Sequence, residues 1–177
     1  MAVGKVEVQV LQTLQEQLQQ VFPNTACQPV SKGITIPLEA YNSTRKQYNS
    51  TYLLNELLKQ TRLLDTDRVI GVTNVDIFAS QLNFVFGEAQ CPGRVALISI
   101  HRLRPEFYGG SSDSKLLEIR VLKEAVHEFG HTLTLGHCKN PECVMFFSNS
   151  IVETDFKQAS PCNNCLQKLR EAVESWH

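Results

Sequence analysis

The sequence predicts a mixed α/β (α+β) fold. One compact domain is expected, with a sheet-bearing N-terminal part, residues 1–137, leading into a small C-terminal part, 138–177. Three observations predict it. Five short runs rich in branched and aromatic residues are interleaved with segments whose apolar residues recur at helical spacing. Beyond His137 the texture changes, and Cys, Asn, Pro and Ser replace periodic apolar residues. Four of the six cysteines, Cys138, Cys143, Cys162 and Cys165, fall in that last stretch, which is too short to hold a core without a staple.

Taken in order, "KVEVQV" (5–10) alternates polar and apolar residues and predicts a first strand. Leu11, Leu14, Leu18 and Val21 share one face of a helix over 11–22, which Pro23 and Asn24 stop. "GITIPL" (33–38) is a short second strand, with Pro37 marking its end or an edge position. From 48 to 64, Tyr52, Leu53, Leu57, Leu58 and Leu64 line a second amphipathic helix. "DRVIGVTNVDIF" (67–78) carries a mostly apolar strand and a turn around Asn74, and "LNFVFG" (82–87) and "RVALIS" (94–99) add two strands. After a loop over 101–110, Ser112 or Ser114 is the expected N-cap of a third helix. Its Leu116, Leu117, Ile119, Val121, Leu122, Ala125 and Val126 lead into "HEFGHTLTLGHC" (127–138). A fourth helix, 163–176, carries Leu166, Leu169, Val173 and Trp176.

Charge narrows the function classes. Seventeen basic and eighteen acidic residues leave no field to attract a polyanion, so nucleic acid is not an expected partner. No apolar run reaches the ~18 residues that span a bilayer, and "MAVGKVEVQV" lacks the basic-then-apolar pattern of a secretion signal. No membrane partner is expected, and the cytoplasm is the expected compartment. Cysteines there serve metal or redox chemistry more often than disulfides. Cys27 and Cys91 stand alone and are expected to be buried, inert thiols.

The densest chemical signal is His127, Glu128, His131 and His137. On a helix, residues four apart lie one turn apart on one face, so His127 and His131 can offer two nitrogens to one ion. Glu128 is one position round, too far off-axis to be a third ligand and well placed to take a proton from water. Position 135 is Leu135, so a third ligand must come after the helix has turned back, at His137. Three neutral imidazoles with an open position mark a catalytic rather than a structural zinc. With this composition the two-histidine motif arises by chance in roughly one such sequence in a hundred, and the third histidine lowers that to a few in ten thousand. Packed or surface histidines are therefore the weaker explanation. The four late cysteines form two pairs, which suit a closed tetrahedral zinc, a redox CxxC or two disulfides.

From His127 to Cys165 the pattern resembles the archaemetzincin (archaelysin) family of metzincin zinc peptidases, whose signature is HExxHxxGxxHCx4CxMx17CxxC. "HCKNPECVMFF" (137–147) and "CNNC" (162–165) carry the later part of the match. The resemblance implies a metzincin-like fold, with a twisted, mostly parallel sheet of about five strands, two N-terminal helices and an active-site helix. A small zinc-stapled C-terminal subdomain ending in a helix would follow. His127, His131 and His137 would bind a catalytic zinc, Glu128 would be the general base, and Met145 would lie beneath the metal in the Met-turn. Cys138, Cys143, Cys162 and Cys165 would hold a second, structural zinc, giving two ions per chain. "LNFVFG" would be the edge strand against which an extended peptide lies. Two departures stand out. The spacer after Met145 is sixteen residues rather than seventeen, and the signature glycine is Thr134, with Gly136 two residues later. We expect the helix to end near Leu133, with strain at Thr134; the alternative uses Gly136 as the flexible point.

The expected function is a zinc-dependent peptidase acting as a monomer on short or unfolded peptides, with aminopeptidase action among the possibilities. Two other classes compete. One is a two-zinc binding protein with little or no proteolytic turnover, and the other a three-histidine metal hydrolase acting on RNA. Phe146 and Phe147 occupy the place where some metzincins carry a tyrosine that approaches the metal, so that group is absent. His101 is expected to be a packed or surface histidine.

Overall fold

A computed structural model describes residues 1–22 and 25–174. The main sheet has β1 (Ala2–Val3), β4 (Val69–Thr73), β7 (Val95–Ser99) and β6 (Gly87–Ala89) in that spatial order. The first three are parallel, and β6 runs antiparallel to β7 along one edge. A single parallel bridge from Ile34 to Val3 extends the other side, so the expected strand "GITIPL" is reduced to one residue pair. A smaller sheet joins β2 (Tyr41–Asn42), β3 (Gln47–Asn49) and β5 (Ile77–Phe78).

Alternation along β7 builds the core. Val95 and Leu97 face one way, into a cluster with Leu53, Leu54 and Leu57 of α2 (Ser50–Thr61). Ile98 faces the other way, with Leu14 and Leu18 of α1 (Val8–Val21) and Leu117, Val121 and Ala125 of α3 (Ser114–Thr132). All five β7 residues are buried, which is why the segment reads as a continuous apolar run. The second cluster continues into Cys143, Val144, Met145, Cys165 and Leu169, so the C-terminal segment shares the core of the sheet-bearing part.

Several sequence expectations change. "KVEVQV" is not a strand: Gly4, at φ 77°, turns the chain off the sheet, and α1 begins at Val8. Its Val10 then continues the stripe of Leu14, Leu18 and Val21 at helical spacing, so the period that won is 3.6. "LNFVFG" is irregular up to Phe86, and β6 starts at Gly87. The carbonyls of Leu82 and Asn83 accept hydrogen bonds from Arg45, and that of Asn83 also from Gln47, instead of from a neighbouring strand. The N-cap of α3 is Asp113, whose carboxylate accepts from the Leu116 amide at 3.0 Å, rather than either serine. A short helix, α4 (Ile151–Phe156), interrupts the stretch expected to be irregular. It starts on a capping box in which Ser150 and Glu153 satisfy each other's backbone amides. The last helix, α5, is Asn163–Glu174; Pro23, Asn24, Trp176 and the side chain of Val173 lie outside the described residues. Cys91 is exposed and Cys27 half-buried, against the expectation that both are buried. Among the described residues no helix is long and apolar enough to cross a membrane.

Candidate metal centre and active site

The last turns of α3 carry His127, Glu128 and His131 at the inner face of the sheet, and His127 and Glu128 are almost fully buried. The helix stops at Leu133. Thr134 takes φ 73°, its amide donates to the His131 carbonyl, and the Leu135 amide donates to the Gly130 carbonyl, both at 3.1 Å. These two bonds make a Schellman ending with Thr134 in the left-handed position. Gly136 has no positive φ, so the reversal that brings His137 round uses the threonine.

The donor atoms of His127, His131 and His137 lie within 4.8 Å of one another. Nδ1 of His127 faces the Val144 carbonyl and Nδ1 of His131 faces the Leu135 carbonyl, each at 2.7 Å. A carbonyl only accepts, so each ring carries its proton on Nδ1 and turns a lone pair on Nε2 into the site. Those two Nε2 atoms are 3.1 Å apart. Two lone pairs so close repel unless a cation lies between them, so the donor set fits a divalent metal. Burial lowers the pKa of all three imidazoles, most strongly for His127, where Lys157 and then His131 add to it. They are thereby kept in the neutral form a metal needs.

Glu128 is pressed close by its neighbours. A Cβ on Gly87 would lie 2.5 Å from Glu128 Cγ, so glycine at the start of β6 is what lets Glu128 sit against the edge strand. Burial and the nearby Glu124 carboxylate raise the Glu128 pKa well above the usual carboxylate range, with Lys157 opposing. Met145 is fully buried and packs on Gly130; a Cβ there would meet its sulfur at 2.5 Å. The Cys138 amide donates to the Met145 carbonyl at 2.9 Å, tying the third histidine's segment to the methionine. Phe147 lies with its ring 4.8 Å from that of His137.

Immediately beyond, the sulfurs of Cys138, Cys143, Cys162 and Cys165 also lie within 4.8 Å of one another. All four are free thiols, and Cys138 and Cys162 are 3.8 Å apart, far beyond a disulfide bond. The Asn140 amide donates to Cys138 Sγ at 3.5 Å and the Cys162 amide to Cys143 Sγ at 3.2 Å, contacts that favour thiolates. The Cys162 thiol is lowered to about 7, first by the backbone amide of Cys165, while burial pushes the Cys143 and Cys165 thiols up.

A cleft of about 330 Å³ opens beside His127 and Glu128, walled by Phe84, Phe86 and Phe147 with Ser148 and Glu124. Glu124 is joined by an ion pair of 2.9 Å to Lys157, which is fully buried, and accepts from Thr154 at 3.2 Å. Gly87, Glu124 and Lys157 were not among the sequence candidates. The signals were faint: a glycine after an aromatic run, and a charge one helical turn before Glu128. His101 packs edge-on to Phe107 with ring centroids 5.3 Å apart, in keeping with a packed histidine.

Residues 5–171 match the sequence model for Peptidase family M54. The chain belongs to that family. It is 49% identical over 169 residues to the archaemetzincin of Methanocaldococcus jannaschii, covering 96% of this chain and 90% of the relative. The crystal structure of the Methanopyrus kandleri archaemetzincin superposes with a TM-score of 0.80 at 33% identity, over 98% of this chain and 93% of that one. A zinc-dependent peptidase from Methanocorpusculum labreanum superposes with a TM-score of 0.84 at 31% identity, over 95% and 97% of the two chains. As an M54 peptidase the chain is a zinc metallopeptidase.

Proposed function

We propose that the chain hydrolyses peptide bonds in short or unfolded peptides, acting as a monomer, with Glu128 as general base and two zinc ions. His127, His131 and His137 would hold one ion, and Cys138, Cys143, Cys162 and Cys165 the other. The observation that carries the reading is a buried carboxylate beside three imidazoles whose free nitrogens converge, at the wall of a cleft. Zinc at the histidines supplies a Lewis acid that polarises the scissile carbonyl and raises the acidity of water.

The protein's own groups do the rest. Val144 and Leu135 fix two imidazoles through their Nδ1 protons. Glu128 takes a proton from the attacking water at its carboxylate. Its raised proton affinity lets the carboxyl retain that proton long enough to pass it to the leaving amine. β6 lies at the sheet edge beside the base, so an extended peptide can align there by backbone hydrogen bonds. Met145 supports the histidines from beneath through Gly130. The cysteine site staples 138–174 to the core it shares with the sheet and holds the segment that presents His137. Six free thiols suit a reducing cytoplasm.

Metal analysis of purified protein should find two zincs per chain, with one lost in His131→Ala. Glu128→Ala should keep both and lose hydrolysis of a peptide panel; full activity in that variant would refute the base assignment. Within the panel, faster cleavage of peptides with free N-termini than of blocked ones would mark aminopeptidase action.

A further inference from the structure

The cleft beside the base combines aromatic walls with polar side chains. Three phenyl rings form its walls. Phe84 and Phe86 meet edge to face at 5.2 Å, and Phe147 closes the side toward His137. The Phe84 wall is rigid. The guanidinium of Arg102 lies 4.3 Å over that ring while donating to both oxygens of Asp76, at 2.6 and 2.7 Å. Arg45 and Gln47 hold the carbonyls of the same loop.

Polar groups also line the pocket, among them Gln81, Asn83, Glu128 and Asn149 beside Glu124 and Ser148. Glu124 lines it, and both described contacts of its carboxylate, from Lys157 and Thr154, fall on Oε1. The hydroxyl of Ser148 is buried in the same wall with no hydrogen-bond partner in the protein. An apolar body therefore meets ring faces, while its tip meets an acceptor and an unsatisfied hydroxyl. Covering such groups with a hydrocarbon forfeits their hydration, whereas a donor tip restores a bond. The tip should also be neutral. Lys157 already neutralises the Glu124 carboxylate from 2.9 Å, so a second cation brought to it gains little, and Glu128 is the one other carboxylate among the lining residues.

We propose that Glu124, seconded by Ser148, is a specificity-determining residue that selects substrates whose pocket side chain has an aromatic or apolar body and a neutral donor tip, tyrosine foremost. This rests on the peptidase reading, because the pocket is taken as the one that receives a side chain next to the scissile bond. The Lys157–Glu124 pair then has a role beyond stability: it fixes the position of the carboxylate.

The test is chosen to separate the two ideas. Zinc-loaded Glu128→Ala protein binds without turning over, so peptides identical except for Tyr, Phe, Leu or Lys at the varied position are compared by dissociation constant. Tyrosine should bind tighter than phenylalanine and than lysine by roughly tenfold or more, as for a polar site that loses its donor. The double variant Glu124→Leu/Lys157→Met, made on that background and checked for two zincs and for helical signal, should reduce the Tyr-to-Phe ratio to near one. Equal binding of Tyr and Phe, a preference for Lys, or an unchanged ratio in the double variant would overturn the inference. If the wild type hydrolyses none of these peptides while the tyrosine preference persists, the pocket's side-chain selectivity stands and the proposed action on short peptides falls.

Discussion

Replacing Thr134 by glycine should stabilise the protein. Thr134 sits at φ 73° as the left-handed residue of the helix ending, its side chain is exposed, and its amide bond to the His131 carbonyl involves backbone alone. A β-branched residue in that conformation costs roughly 1–2 kcal/mol, because Cβ crowds the following carbonyl. Glycine removes that cost and returns about 0.5–1 kcal/mol of it through the greater freedom of the unfolded chain. The net gain is then roughly 0.5–1 kcal/mol, which for a domain of this size raises the thermal midpoint by about 1–4 °C. The assay is urea unfolding of zinc-loaded Thr134→Gly against wild type, checked by calorimetry, with the slope unchanged. A variant less stable than wild type would refute the reasoning, because it would mean that the threonine bears no strain at the turn presenting His137.

Other perturbations test the rest of the site. Gly87→Ala places a Cβ 2.5 Å from Glu128 Cγ. Hydrolysis should fall by up to about a hundredfold with little change in thermal midpoint, since a displaced base costs rate rather than fold. Lys157→Met leaves the buried Glu124 carboxyl without its cation partner, so urea unfolding should show a loss of about 3–5 kcal/mol, most of it recovered by adding Glu124→Leu. For pH, the three histidines have folded-state pKa values lowered below the ordinary 6.5 by burial. Their contribution is fully present above that value and is lost as pH falls through it, because the unfolded chain then binds protons that the fold does not. Glu128 acts in the opposite sense: its raised pKa favours the fold at low pH, and that contribution is lost as pH rises above 4.5. With three groups against one, zinc-free protein should melt earlier at pH 5 than at pH 7. A midpoint that rises on acidification would contradict the burial of His127 and the partial burial of His131.

The parts of the site that were legible in the sequence share one property: they lie close together along the chain. His127 and His131 are brought onto one face by helical geometry alone, and Leu135 forces the third donor past the helix end. The α3 segment was legible because its apolar residues repeat at helical spacing, and β4 and β7 because short branched apolar runs bounded by turn residues suit a buried strand. "KVEVQV" misled for the same reason, since five or six alternating residues also fit a helical stripe when a long amphipathic segment follows. The capping box that opens α4 was written in the sequence as Ser150 and Glu153, in a stretch where residue types otherwise signal loop.

What the sequence by itself determined is the chemistry: which imidazoles, thiols and carboxylate are available, and that they come in metal-ligand spacings. Tertiary structure alone decided the environment that makes those groups work. Gly87 and Glu128 meet because β6 runs along the edge beside α3, and Lys157 reaches Glu124 because α4 folds back onto the same helix. The pocket exists only where Phe84, Phe147 and Glu124 converge from three separate segments. Spacing along a helix is fixed by local backbone geometry, whereas burial, pKa shifts and pocket shape arise from packing between distant segments, which no local period encodes.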